Sequence, residues 1–291
     1  MLASGSIFWL LLIGLGSTAL GSMLGMAGGI FVVPLLVSFG DIELKTAIGA
    51  SLVSVIACSC SGAPQFLRHR ITNVRLATVL ESATTIGAVT GVLLAPFAPV
   101  SLLYGLFGIV MTLSAYQMLR KRSVQLEDPD ISAPSDPSLA TRLLGNDVAM
   151  YRNPANRQVT AYRISNLPGE LSFMYGAGVL SAMLGIGSGV LKIPAMDTAL
   201  KLPLKVSSAT SNFMIGVTGA ASAVAYLLHG DIVPEVAGPV VLGSVLGTFI
   251  GSHLLLRIPG NQMRLIFAVI LTALAIQMFA RTIGIDLLGS L

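Results

Sequence analysis

Residues 25–36 read G-M-A-G-G-I-F-V-V-P-L-L, and residues 185–196 read G-I-G-S-G-V-L-K-I-P-A-M. The two stretches lie 160 positions apart. Each is an apolar run broken by glycines, with a proline five residues after the last glycine: Gly29 and Pro34, Gly189 and Pro194. Glycine lets a backbone turn inside a membrane, and non-helical backbone at that depth is tolerated only where protein or a water-filled cavity surrounds it. The N–H groups that open the following short helix have no intrahelical acceptor. A helix N-terminus also carries about half a positive charge, so such a turn suits an anion. The competing reading of one glycine cluster is close helix packing through small residues.

Working outward, the 160-residue shift aligns Ser22–Met118 with Ala182–Met278 without a gap, with 21 identities in 97 positions. Met23, Leu24 and Gly25 fall on Met183, Leu184 and Gly185. Lys45 falls on Lys205, Ser51 on Ser211, His69 on His229, and Gly87 and Gly91 on Gly247 and Gly251. Two copies of one membrane unit point to a transporter with its site between the halves. The expected organisation is a first unit over 1–122, a linker over 123–168 and a second unit over 169–291.

Of the 291 residues, 54% are hydrophobic and 10% charged, and mean hydropathy is +0.84. A soluble domain carries about 25% charged residues, so the solvent for most of this chain is lipid. The net charge of +4 sits in loops, which argues for membrane orientation rather than nucleic-acid binding. The apolar run 7–15 has no basic residue before it, and it belongs to the repeat, so it reads as part of the mature fold rather than a leader. Cys58 and Cys60 in an apolar stretch read as packing residues.

The apolar segments run over about 7–39, 46–67, 74–98 and 100–119, then 171–200, 206–228, 236–256 and 263–283. The first of each unit is too long for one simple helix and is expected to be two short helices meeting at a glycine turn. Arg68, Arg70, Arg75, Arg120, Lys121 and Arg122 mark cytoplasmic loops in unit one. A parallel second unit would put Lys201, Lys205, Arg257 and Arg264 outside and only Arg281 inside; inversion reverses that count. The charges favour an inverted repeat, which needs an odd number of crossings per unit and about ten segments. A parallel four-plus-four arrangement is the alternative. The sequence therefore predicts an all-α polytopic membrane protein of two repeated multi-helix units, with 8–10 transmembrane segments and a broken first helix in each unit. The Pro-rich, mixed-charge stretch 123–168 is expected to be a cytoplasmic loop, partly disordered or with one short helix.

Polar residues follow each break. Ser51 and Ser54 sit in A-I-G-A-S-L-V-S, and Ser207, Ser208, Thr210, Ser211 and Asn212 in S-S-A-T-S-N-F. Their hydroxyls and amide can donate to an oxyanion, or can bond neighbouring helices. On these elements (the Gly25–Pro34 and Gly185–Pro194 runs, and Ala209-Thr210-Ser211-Asn212) the chain resembles the sulfite exporter TauE/SafE family, also called the toluene-sulfonate uptake permease family. The resemblance covers nearly the whole chain outside 123–168. Unit one departs from the pattern with Gly49-Ala50-Ser51-Leu52 and with Ala27 among its glycines. The resemblance implies transport of a sulfur-containing anion such as sulfite or an organosulfonate.

The expected substrate-binding residues are Gly25, Gly28, Gly29, Ser51, Gly185, Gly187, Ser188, Gly189, Lys192, Thr210, Ser211 and Asn212. A side chain at Gly29 or Gly189 would displace the anion and strain a turn that needs positive φ. Intramembrane ionisable residues are functional by default. Lys192 could hold an anion or pair with Asp197, and Glu81, two turns into its helix, is the expected proton-coupling residue. His69, His229 and His253 read as helix-end or interfacial residues.

No catalytic residue, metal site or cofactor is expected. The deep carboxylates are too few for a metal cage, and the chain has no H-E-x-x-H and no P-loop. Transport would then be secondary or facilitated. An intramembrane serine-dependent enzyme using Ser51 or Ser211 is the alternative, as is a carrier for an unrelated solute. The expected partners are a small anion, the lipid bilayer of the inner cell membrane and a second copy of the chain.

Overall fold

The computed structural model describes residues 4–23, 26, 28–40, 42–68, 71–120, 148–152, 159–163, 167–198, 200, 202, 204–257 and 260–283. Ten α-helices are formed among them. Within the span expected as unit one lie α1 (Ser4–Met23), α2 (Gly29–Phe39), α3 (Leu44–Arg68), α4 (Val74–Leu94) and α5 (Val100–Arg120). Within the span expected as unit two, or at its edge, lie α6 (Leu167–Leu184), α7 (Gly189–Thr198), α8 (Leu204–Leu228), α9 (Pro234–Arg257) and α10 (Gly260–Thr282). Five of them, α3, α4, α5, α8 and α9, are long and apolar enough to cross a membrane. Their outward faces are bare hydrocarbon: Leu93 is 66% exposed and Leu228 81%, a surface that water would not tolerate at this density. The chain is a multi-pass membrane protein.

The glycine-broken segments are two helices each. Helix α1 stops at Met23 and α2 starts at Gly29; α6 stops at Leu184 and α7 starts at Gly189. At 1.5 Å per residue, α2 and α7 reach only about 15 Å, half the thickness of a bilayer core.

Between the units, one expectation is corrected. Where a loop or short helix was expected, Val148–Arg152 (β1) and Val159–Arg163 (β2) pair as an antiparallel hairpin, with Met150 opposite Ala161. V-A-M-Y-R and V-T-A-Y-R are rich in β-branched and aromatic residues, and Asn153-Pro154-Ala155-Asn156 between them is turn-forming composition. The hairpin amends the all-α expectation by two short strands.

Helix directions follow from which residues meet. Along α1 and α9, Gly243 lies on the Leu11 carbonyl, Gly247 on that of Leu15 and Gly251 on that of Ala19, so the two helices run parallel. Their counterparts 160 residues away do the same: Gly87 lies on the Tyr175 carbonyl and Gly91 on that of Val179, making α4 and α6 parallel. A Cβ at any of these glycines would collide with backbone, the small-residue packing that lets membrane helices approach closely. Helix α3 is parallel to α9, through Ser54 with Ser244 and Gly62 with Thr248. Helix α8 is parallel to α4, through Thr210 with Asn73 and Thr218 with Glu81.

The counterparts α3 and α8 are antiparallel: Asn212 meets Gly62, Gly216 meets Ser59 and Gly219 meets Ile56. Helices α5 and α10 are antiparallel as well, through Gly105 with Thr282 and Gly108 with Phe279. Both α1 and α3 are parallel to α9, so the chain turns back between them, through α2. By the same reasoning α7 turns back between α6 and α8.

Candidate functional site

The two breaks meet at the centre, between α3 and α8. An ideal Cβ on Gly29 would lie 2.9 Å from the Ile186 carbonyl oxygen and 2.7 Å from Val55 Cγ2. One on Gly189 would lie 3.1 Å from Met26 Cα, 3.2 Å from Ser211 Oγ and 2.6 Å from Ile215 Cδ1. Met26 and Ile186 are counterparts in the 160-residue shift, so each break rests on the other. Every residue from Ser181 to Ile193 is buried.

The turn geometry corrects the expectation for Gly29 and Gly189. Neither has positive φ; the left-handed residues described at the breaks are Gly28 (φ 73), Gly185 (φ 66), Gly187 (φ 71) and Ser188 (φ 45). Gly28 and Ser188 are counterparts, each placed one residue before its helix. The left-handed conformation therefore falls there, and close approach is what requires glycine at 29 and 189. A non-glycine residue in this conformation costs roughly 1–2 kcal/mol, and Ser188 bears that cost.

The residues after the breaks divide. Ser51 Oγ donates to the Gly185 carbonyl at 2.8 Å, tying α3 to the second break. Its counterpart Ser211, beside Gly189, is buried with no partner, and so is the Ser188 hydroxyl. Buried hydroxyls are nearly always satisfied, so these two orphans beside the start of α7 stand out at the point where the breaks meet. Thr210 and Asn212 face elsewhere. Thr210 Oγ1 accepts from the Asn73 N–H at 3.3 Å, towards α4. The Asn212 amide lies on Gly62 of α3, and the Asn212 carbonyl accepts from Ser59 Oγ at 2.6 Å. Successive helical residues are about 100° apart, so Thr210, Ser211 and Asn212 cannot share one face. Gly25 lies outside the described residues, as does the Asp197 side chain.

Lys192, one turn into α7, is fully buried. Its ammonium donates to Glu81 Oε2 at 2.9 Å and to Thr218 Oγ1 at 2.8 Å. The Thr218 hydroxyl donates to Glu81 Oε1 at 2.5 Å, closing a ring of three hydrogen bonds across α4, α7 and α8. Thr85 adds a contact to Glu81 Oε1 at 3.3 Å. The ring is neutral as a whole, which is how a buried ion pair is tolerated. Thr218 was not among the expected site residues. Its signal was helical spacing, since it lies seven residues, or two turns, after Ser211 on the same helix.

The ring occurs once. The counterparts of Glu81, Lys192 and Thr218 are Val241, Val32 and Cys58. The matching place in the other half is polar but uncharged: Ser54 and Ser244 share a 2.6 Å hydrogen bond, and Thr18 Oγ1 donates to the Ser244 carbonyl at 2.9 Å. A small cavity of about 50 Å³ lies at the end of α8, lined by Lys45, Ile48, Val92, Tyr226, His229 and Asp231 among others. The Tyr226 hydroxyl in its wall donates to the Ala182 carbonyl at 3.2 Å, at the end of α6 that leads into the second break.

The sequence is similar to those of several known proteins. The probable membrane transporter protein YunE of Bacillus subtilis is 22% identical over 279 residues, covering 92% of this chain and 96% of that protein. The probable membrane transporter protein YdhB of the same organism is 26% identical over 229 residues, 79% of this chain and 82% of that one. A probable membrane transporter protein of Xylella fastidiosa strain 9a5c is 26% identical over 272 residues, with 92% and 93% covered. No solved structure matches the chain significantly. The family model described as "Sulfite exporter TauE/SafE" matches residues 10–278. The chain belongs to the sulfite exporter TauE/SafE family.

Proposed function

We propose that the chain is a secondary transporter of the inner cell membrane that carries a small oxyanion, sulfite or an organosulfonate, through the point where its two helix breaks meet. The observation that carries this reading is the pair of buried, unpartnered hydroxyls of Ser188 and Ser211 at the N-terminal end of α7, one turn from a buried ammonium. An oxyanion needs donors and compensating charge. The opening N–H groups of α2 and α7, the two serines and Lys192 supply both. The family and the names of the relatives favour a transporter over the serine-enzyme alternative.

In the closed arrangement Lys192 belongs to Glu81. An anion can take the ammonium only if Glu81 releases it, and a carboxylate left alone at this depth is costly unless it gains a proton. Anion and proton would then enter the site together. The antiparallel counterparts α3/α8 and α5/α10 support an inverted repeat, in which rocking of one unit against the other opens the site to each side in turn. The cavity bounded by Tyr226, with Lys45 and His229 at its wall, is the approach on the extracytoplasmic side in this reading. Purified protein should bind sulfite or a sulfonate, and Lys192→Met should weaken that binding at least tenfold. Binding unchanged by Lys192→Met would place the anion elsewhere.

A further inference from the structure

Glu170, in the first turn of α6, has no role in the ring or the breaks. It is fully buried, and neither carboxyl oxygen has a hydrogen-bond partner. The register of α6 on α4 sets Gly178 against Thr84 and Ala88. Eight residues earlier, the same register sets Glu170 alongside Leu76 and Leu80, about one turn before Glu81. Its surroundings are an apolar cluster that includes Leu76, Leu80, Leu167, Met174, Ala195 and Met196. In the other unit the corresponding residue is Leu10, so packing alone does not call for an acid here.

Among the described side chains of the elements that join this cluster, Arg68 at the end of α3 and Arg75 on α4 are exposed, Glu81 on α4 and Lys192 on α7 are bonded to each other, and Val206–Met214 of α8 carries no ionisable group. A carboxylate without donors in apolar surroundings is among the costliest arrangements a protein can hold. The neutral acid is not. A metal cation is a poor alternative occupant, since hard cations want six or more oxygens, and no group of acidic, histidine or cysteine side chains suited to a metal occurs among the described residues. A proton needs one oxygen. Two more buried hydroxyl oxygens without partners, those of Thr72 and Ser207, lie at the same end of the bundle, where α4 and α8 begin. Water would satisfy all three groups once that end opens.

We propose that Glu170 is a second proton-binding site, between Glu81 and the end of the bundle where α4 and α6 begin. It holds its proton while the apolar cluster is closed and gives it to water when the cluster opens. This rests on the transporter reading, since it gives the proton that accompanies the anion a place to leave from. In the step the Glu170 O–H bond breaks, the proton passes to water, and the carboxylate remains hydrated in the opened end.

The test is infrared spectroscopy of the purified full-length protein across a pH series, without substrate, on the parent and on Glu170→Gln. Glu170→Leu, which copies Leu10, serves as a second variant should the glutamine destabilise the fold. The parent should show the carbonyl-stretch band of a protonated carboxylic acid. That band should be absent from both variants and should disappear reversibly in the parent as pH rises. Coincident parent and variant spectra would overturn the proposal. So would a Glu170 band that persists at every pH at which the protein stays folded, because the acid would then be a fixed structural group. The measurement needs no anion, so its failure and a failure of anion transport are separate results.

Discussion

The ammonium of Lys192 and the carboxylate of Glu81, 111 positions apart in the chain, lie 2.9 Å from each other with Thr218 bonded to both. Lys192 belongs to a half-length helix and Glu81 to a full-length one. The ion pair therefore ties the second break to the α4 wall, and anything that separates the pair frees the break to move.

Removing one partner leaves the other buried and uncompensated. Lys192→Met and Glu81→Leu should each lower stability by about 3–5 kcal/mol, while the double replacement recovers most of that loss. Thermal unfolding in detergent of the two single variants and the double variant checks this. Glu81→Gln should also abolish the response of flux to a pH gradient, because the amide cannot take up a proton when Lys192 leaves.

The two breaks should answer differently to a methyl group. Each new Cβ first meets a movable side-chain end, Val55 or Ile215, but the backbone behind it is closer for Gly29→Ala, 2.9 Å to the Ile186 carbonyl oxygen, than for Gly189→Ala, 3.1 Å to Met26 Cα. Both should weaken anion binding, with Gly29→Ala the more destabilising in a melting experiment. Equal stability of the two variants would show that the breaks part more easily than their packing implies.

Ser188→Gly removes a left-handed serine and a hydroxyl together. It should raise stability by about 1 kcal/mol and weaken anion binding, and Ser211→Ala should weaken binding with little change in melting. Ser51→Ala should do the reverse, since its hydroxyl is already committed to Gly185; the expected loss is about 1–1.5 kcal/mol of stability.

Orientation is testable by single-cysteine labelling in a background without Cys58 and Cys60. Position 232, in the α8–α9 connection, should be labelled from outside, and position 260, where α10 starts, should be protected. The reverse pattern would contradict the cytoplasmic placement of the basic loops.

The position of the helix ends in the first segments was legible in the sequence, because glycine and proline recur there at a fixed offset. The structure places α1/α2 and α6/α7 on either side of those glycines. Lys192 and Glu81 were also legible, as charges in apolar helices. Their pairing was not, because it depends on how α4 and α7 meet across 111 positions. Thr210, Ser211 and Asn212 read as one motif, yet helical geometry sends them in three directions. The sequence alone gave Glu170 no distinction, since a glutamate in the first turn of a helix ordinarily reads as a solvated N-terminal charge; its burial against α4 makes it unusual. The hairpin was missed because β-propensity in a short polar stretch depends on context.

The most direct test of the central claim is uptake into proteoliposomes of sulfite, an organosulfonate, thiosulfate and a carboxylate, by the parent and by Lys192→Met. The account predicts that the parent moves at least one sulfur oxyanion well above protein-free liposomes, that an inward proton gradient accelerates it, and that Lys192→Met falls to background while remaining folded. Uptake of none of these anions by folded parent protein, or full uptake by Lys192→Met, would contradict it.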